Sequence, residues 1–539
     1  MRTSIPVAAG AVAWGTPTAR WTLAATVLGS GMAFLDSTVV TVALPAIEDE
    51  LDTGLSGLQW IVNGYMITLS ALILLSGSLA DRFGRVRLFM VGVVVFALAS
   101  ALCVFAPTLG WLVAGRVVQG VGGALLTPGS LAILQAGFRE EDRARAIGAW
   151  SGLTGVAAAV GPFVGGWLVQ VGDWRLIFLI NLPLAVAVLA ITWWRVPESR
   201  DEAAARRLDY PGALLGVVAL GGTTYALIQW GAVGGTPAVW TGVVVGMLAL
   251  AAFVLVERAS AAPMLPLGIF SSPAFTVTNV ATVLIYGSLG PLLFLLVIYL
   301  QEVGGYSPIA AGSASLPITA LMLALSARSG RLAARIGPRP QLIVGPLLLA
   351  GGFVLLSRLD PGDSYVGGVL PGVLLIALGL ATAVAPLTAT VLASAPERHA
   401  GLASGVNNTF ARGAQLIGVA AVPVAVGIGG AAGGPGAGTE TVAAGFGPAT
   451  LLLAGACALA ALCAAALPRR RMPGPAEAPA AEEEAPAAVE EEVEEEGPGV
   501  RPVGPGRPTR FCGVSGPPMR ECPGSSAGET HETGREGSD

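Results

Sequence analysis

Charge is what this sequence has least of. Only 12% of its 539 residues are Asp, Glu, Lys or Arg, while 53% are hydrophobic, and the mean hydropathy is +0.71. A water-soluble domain carries about 25% charged residues. This chain cannot clothe an aqueous surface, so lipid is the solvent for much of it. Lysine is absent and every basic residue is Arg, which we read as the codon bias of a GC-rich genome. The two histidines, His399 and His531, exclude a His-based metal cluster. The five cysteines exclude a disulfide framework: Cys103, Cys457 and Cys463 lie in apolar runs, Cys512 and Cys522 in a polar tail. No Gly-rich loop ends in Gly-Lys-Ser/Thr, which argues against an intrinsic ATP motor. The GVGG at 120–123 sits inside an apolar helix and follows no strand, so it is not a dinucleotide loop. No catalytic residues, cofactor, metal or nucleic-acid partner is expected. Arg20 precedes the first apolar run without a small-residue cleavage pattern, so no cleavable signal peptide is expected.

What is present is hydrophobic runs. A bilayer crossing takes about 20 mostly apolar residues. Candidate spans cover 21–44, 58–80, 88–106, 109–131, 144–169, 176–194, 212–231, 237–256, 274–300, 309–327, 341–356, 366–393, 402–428 and 446–467. The expected fold is all-α and integral to the membrane, with about fourteen transmembrane helices. Arginine alternates between the connecting loops. One set holds Arg82, Arg85, Arg87, Arg139, Arg143, Arg145, Arg195, Arg200, Arg206, Arg207, Arg258, Arg328, Arg331, Arg335, Arg339 and Arg398, with Arg469, Arg470 and Arg471 after the last span. The other set holds Arg175 and Arg358 beside Glu48, Asp49, Glu50, Asp52, Glu302 and Asp363. Cytoplasmic loops carry the Arg excess, which places both termini in the cytoplasm, as an even helix count requires.

The expected organisation is a cytoplasmic segment 1–20, a six-helix bundle 21–195, a cytoplasmic loop 196–211 and two additional helices 212–256. A second loop 257–273, a second six-helix bundle 274–467 and a disordered acidic cytoplasmic tail 468–539 follow. Two six-helix bundles are a common construction for alternating-access transporters.

Ionisable groups inside a membrane are costly and mark functional sites. Asp36 lies within the first span, in LDSTVVTVALP. It either takes up and releases a proton during transport or bonds structurally to a nearby helix. Arg116, Gln119, Gly120, Gly123 and Thr127 recur at helical offsets on one face of the fourth span. Arg116 either supports a carboxylate such as Asp36, binds substrate, or ties helices through backbone carbonyls. In the fifth span, Gly148 with Gly152 and Gly161 with Gly165 form small-xxx-small pairs, and Pro162 predicts a kink. In the thirteenth span Asn408, Arg412 and Gln415 share a face. With Gln119 they are the candidate cavity lining, unless Arg412 reaches the cytoplasmic surface. Asp81, Arg82 and Arg85 form a surface charge cluster between Gly77 and Gly84, where we expect tight turns. Trp60, Asn63, Tyr65, Trp111, Trp150 and Trp230 are aromatic and polar residues that either line a cavity or serve packing and interface anchoring.

In order and spacing, these segments resemble the major facilitator superfamily, in its fourteen-helix drug:proton antiporter branch. LDSTVVTVALP is similar to that branch's first-helix motif, GSLADRFGRVR to the loop motif between the second and third helices, and RVVQGVGGA to the fourth-helix motif. GVAAAVGPFVGG is similar to the fifth-helix antiporter motif, while WRLIFLINLP, YLQEVGGYSPIAAGSASLP and ASGVNNTFARGAQLIGVA are further family-like stretches. Thr41 and Gln415 depart from the pattern, where the family often has Asn and Gly. The resemblance implies that Asp36 and Arg116 serve proton coupling. It also implies that Gly77, Asp81, Arg82, Gly84 and Arg85 form a cytoplasmic gate and that Gly155, Gly161, Pro162 and Gly165 form the antiporter motif. The implied function is proton-coupled export of hydrophobic or amphipathic small molecules, such as drugs or antibiotics, by alternating access. The implied partners are a small-molecule substrate, protons and the lipid bilayer of the plasma membrane, with the monomer as working unit. A uniporter or symporter of a small metabolite, and a membrane sensor that binds ligand without moving it, are the alternatives.

Overall fold

Small polar residues mark where the helices of this protein start. Thr16, Thr108, Ser272, Ser307 and Ser364 each accept a backbone N–H two or three residues onward through the side-chain oxygen, satisfying a donor that has no partner within the helix. The structure is a computed structural model and describes residues 12–200, 208–260, 263–394, 400–428 and 437–467. The expected tail, 468–539, lies outside the described residues, as do most of the first segment and part of each long loop.

The helices run in chain order as α1 Pro17–Leu51, α2 Leu55–Phe83, α3 Arg85–Val104, α4 Leu109–Gly137, α5 Glu140–Val171, α6 Leu176–Arg195 and α7 Tyr210–Val233. They continue as α8 Pro237–Ala259, α9 Pro273–Val303, α10 Pro308–Ile336, α11 Arg339–Leu356, α12 Tyr365–Ala393, α13 Ala400–Ala425 and α14 Ala437–Ala465. Among the described residues, 13 of these are long and apolar enough to cross a membrane. The remaining long helix is α13, whose Asn407, Asn408, Arg412 and Gln415 dilute its apolar character. Leu98, Val186, Leu248 and Leu462 are 63–70% exposed, as befits faces solvated by lipid.

The sequence expectation placed Glu48, Asp49 and Glu50 in a loop, yet α1 runs on through them to Leu51. It placed Asp81–Arg87 in a loop as well, but α2 continues to Phe83 and α3 starts at Arg85. Gly77 is therefore mid-helix rather than in a turn. The turn is Gly84 alone, at φ +105°. Water satisfies backbone and side chains beyond the bilayer, so a helix need not stop where its hydrophobicity does. Pro45, Pro128, Pro162, Pro291, Pro346, Pro386, Pro423 and Pro448 all lie inside helices, where neighbouring helices tolerate the lost donor.

The first bundle packs α1 on α5 and α6, α2 on α4, and α3 on α4. The second packs α11 on α12 and α14, α9 on α13 and α14, and α10 on α12. The additional pair packs α7 on α8, and α7 leans on α2 and α13. Gly222 and Gly246 bring α7 and α8 backbone to backbone: a side-chain carbon on Gly222 would lie 2.9 Å from the Gly246 nitrogen.

The two bundles meet unequally at their two ends. At the end holding the α1–α2 turn, one continuous apolar cluster includes Val39, Ala43, Leu44 and Ile47 of α1 and Leu292, Leu295 and Leu300 of α9. At the opposite end the first bundle has its own cluster around Phe89 and Phe96, and the second another around Phe275 and Val391, which Leu74 of α2 touches from the first bundle. Along the α5–α10 seam, a side-chain carbon on Gly166 would stand 2.6 Å from Ile309 Cα. From Gly155 the nearest atom is Leu323 Cδ2 at 3.7 Å, and from Gly152 and Gly148 nothing lies within 4 Å. The seam is closed at one end and splayed at the other.

Residues 12–14 add a strap. Val12 donates to the Gly137 carbonyl at 3.0 Å and accepts from Arg139 N–H at 3.1 Å. The Trp14 N–H donates to Asp142 Oδ2 at 2.7 Å, and Arg145 stacks 4.6 Å above the Trp14 ring.

Candidate functional site

Asp36 sits in the middle of α1 with no exposed surface. Three side chains donate to it. Arg116 of α4 reaches Oδ2 through a terminal nitrogen at 2.6 Å, Gln119 reaches Oδ1 at 2.7 Å, and Asn181 of α6 reaches Oδ1 at 3.0 Å. Every one of these contacts is a donor to the carboxylate. Arg116, 2% exposed, also donates to Gln119 Oε1 at 2.6 Å and, through Nε, to the Ile61 carbonyl of α2 at 3.2 Å. Its guanidinium lies 4.5 Å from the Tyr65 ring and 5.8 Å from the Phe178 ring. Ser100 of α3 accepts from Gln119 at 2.9 Å and from Asn181 at 3.3 Å. The network thus ties together α1, α2, α3, α4 and α6.

The helical offset of three between Arg116 and Gln119 lets both face α1, and the small Gly120 and Gly123 bring α4 against α2. Arg116 meets the carboxylate and a backbone carbonyl together, so two of its sequence readings coexist in this geometry. Gln119, expected to line a cavity, is instead fully buried inside the network. Asn181 and Ser100 belong to it too and were not among the expected residues. The available signal for Asn181 was that it is the one amide in the apolar run LIFLINLPLAV.

Gly161 and Gly165 of α5 abut the same region. A side-chain carbon on Gly161 would collide with Thr38 Oγ1, two residues from Asp36, and one on Gly165 would lie 2.9 Å from Val39 Cγ1. The Pro162 carbonyl presses on Gly312 of α10. So α5 is wedged between α1 of its own bundle and α10 of the other. Gly148 and Gly152, expected to pair in the same way, touch nothing, because they lie along the splayed part of the seam.

At the α2–α3 turn, Arg85 donates to Asp81 at 2.7 Å, and the Arg82 guanidinium lies 5.2 Å from the Phe83 ring. The sequence reading missed Glu198. Its carboxylate accepts from the N–H groups of Val86 at 2.9 Å and Arg87 at 3.1 Å, capping α3. Gly84 is doubly required: its φ is positive, and a side-chain carbon there would lie 3.0 Å from that carboxylate.

In α13, Asn408 is exposed and donates only to the Ser404 carbonyl. Its neighbour Asn407 instead bonds across to Asn279 at 3.1 Å and Thr282 at 2.8 Å of α9. Gln415 lays its backbone against Gly290. Arg412 points its guanidinium at Phe34 of α1, 5.9 Å from the ring. Of the aromatic candidates, Tyr65 joins the Asp36 region. Trp60 packs on Tyr225 and Trp230 on Trp240, while Trp111 and Trp150 donate to the Leu102 carbonyl and to Ser30.

Two six-helix bundles with an additional helix pair, and a buried carboxylate–guanidinium pair in the first bundle, describe a membrane transporter. The description "Major Facilitator Superfamily" matches residues 26–419, and the chain belongs to that family, a family of transporters and not of enzymes. It is 38% identical over 395 residues to "Multidrug resistance protein Stp" of Mycobacterium tuberculosis (strain CDC 1551 / Oshkosh), covering 71% of this chain and 72% of that one. It is 35% identical over 409 residues to "Tetracenomycin C resistance and export protein" of Streptomyces glaucescens, covering 75% of each. Among solved structures, a bacterial homologue of the human lysosomal transporter Spinster shares the fold at TM-score 0.63 and 17% identity, covering 86% of this chain and 100% of that one.

Proposed function

We propose that this protein is a proton-coupled antiporter that exports hydrophobic or amphipathic small molecules across the plasma membrane by alternating access. The observation that carries this reading is the sealed Asp36–Arg116 pair. A carboxylate held by an arginine and two amides in a water-free interior can accept a proton only when the helices that hold it shift, since ionisation without those partners is costly there. That links proton uptake to a change of conformation. The resistance and export functions named for the relatives supply the cargo class. Residues 21–195 and 274–467 are the two moving bodies, with 212–256 beside their seam. Gly77, Asp81, Arg82, Gly84 and Arg85 form the gate; of Gly155, Gly161, Pro162 and Gly165, which form the hinge, Gly155 and Pro162 face α10 of the second bundle while Gly161 and Gly165 seat α5 on α1. Both termini are cytoplasmic by the Arg asymmetry, so the splayed end of the seam faces inward. The unit is a monomer.

The test is transport by the purified full chain in proteoliposomes carrying an imposed pH gradient. Antiport predicts uphill substrate movement against the proton flow, and substrate addition drives proton movement in the opposite direction. Substrate equilibration that ignores the gradient identifies a uniporter, and co-directional flow a symporter.

A further inference from the structure

One half-buried cation within the spanning region has no counter-charge. Arg412 lies within α13, and none of the ion pairs among the described residues includes it. Its Nε is buried without a hydrogen-bond partner. Its neighbours come from both bundles. The Phe34 ring of α1 lies 5.9 Å away, and Tyr65 in α2 and Tyr286 in α9 are ionisable residues within its electrostatic reach. Asp36 is two residues from Phe34, but Arg116, Gln119 and Asn181 already occupy its oxygens. A guanidinium carries five donors in a planar fork shaped for a carboxylate. Held in a membrane interior with aromatic rings and phenol hydroxyls around it, and no protein anion, it lacks the partner such a group ordinarily has.

We infer that Arg412 anchors an acidic group on the exported molecule, so that this transporter favours aromatic acids over their neutral isosteres. The inference rests on the export reading and specifies its substrate class. The acid would pair with the guanidinium while its ring lies against Phe34, Tyr65 and Tyr286. Both bundles contribute to this site, so opening the seam on the other side dismantles it and releases the acid.

The probes are naphthalene-2-carboxylate and naphthalene-2-carboxamide, which differ in charge and little in shape. Each is titrated calorimetrically into the full chain in phosphatidylcholine nanodiscs, which bring no competing lipid anion. The carboxylate should bind about ten-fold more tightly or better, as one charge-assisted pair supplies. Arg412→Met should erase that preference and leave the carboxamide affinity unchanged, while Arg412→Lys should keep part of it. Equal affinities in the wild type, binding of neither probe, or a preference that survives in Arg412→Met overturns the proposal. If Arg412→Met does not fold, the Lys variant decides: a carboxylate affinity unaltered by loss of the planar fork overturns it. An anionic headgroup offers the same chemistry. In phosphatidylglycerol nanodiscs the carboxylate's advantage persists if solute is the ligand, and its disappearance assigns the site to lipid and overturns the proposal. Binding is read at equilibrium, so a protein that binds the acid but does not move it leaves this site standing and overturns the export reading instead.

Discussion

Asp36→Asn separates the two jobs, holding Arg116 and coupling protons, that the proposed function gives to one carboxylate. The substitution keeps the shape of the side chain and removes its charge. Arg116, 2% exposed, then faces an amide, and an amide oxygen that still serves Gln119 and Asn181 turns its NH2 toward the arginine. Breaking a buried ion pair from one side costs about 3–5 kcal/mol, a large share of the roughly 5–15 kcal/mol by which a folded protein is stable. The single variant should therefore unfold at a markedly lower temperature. Removing both charges, as Asp36→Asn with Arg116→Gln, leaves no orphaned ion and should recover most of that loss. Proton coupling does not recover, because neither residue at the site now titrates. Two assays read the two jobs: thermal unfolding of purified protein, and substrate-driven proton movement in proteoliposomes. If the single variant is as stable as the wild type, the electrostatic argument is wrong. If the double variant couples normally, the proton is carried elsewhere.

Three further outcomes follow from the packing and the topology. Gly161→Leu drives a branched side chain into Thr38, an overpacking that costs about 1–3 kcal/mol; transport per molecule should fall more than membrane abundance, and unchanged turnover would show that α5 does not transmit movement through this contact. Single cysteines at Ser199 and Glu440, on a cysteine-free background, should label from inside and outside respectively in intact cells, and the reverse pattern inverts the assigned orientation. Glu198→Ala removes the acceptor for two N–H groups at the start of α3, a loss of about 0.5–2 kcal/mol; hydrogen exchange at Val86 and Arg87 should accelerate, and unaltered protection would mean that water replaces the cap at no cost.

Membrane energetics explain which parts of this arrangement are visible in one dimension. Asp36 and Arg116 stand out because a charge in an apolar run needs a reason to be there, and that reason predicts that each has a partner. Gln119 follows from its helical offset to Arg116. Ser100 and Asn181 do not follow, because small neutral polar residues also satisfy themselves on their own helix, as Thr26 and Thr154 do here. Glycine spacing shows that close approach is possible but not which face has a neighbour, so Gly161 with Gly165 and Gly148 with Gly152 look alike in sequence and differ in space. Asn407 and Asn408 are adjacent, and a 100° step around the helix puts only the first against α9. Glu198 was hidden because a carboxylate outside the bilayer is ordinary, and only the folded chain shows it seated on the α3 terminus.

The strap at residues 12–14 is itself a handle on the machinery. It is stitched to the turn joining α4, which carries Arg116, to α5, which carries Gly161. A bulky fusion or surface tether attached there loads the helix that carries Arg116 and the helix that lies along the seam. The same geometry makes Trp14 a natural place for an optical reporter, whose signal would follow the turn as the transporter cycles.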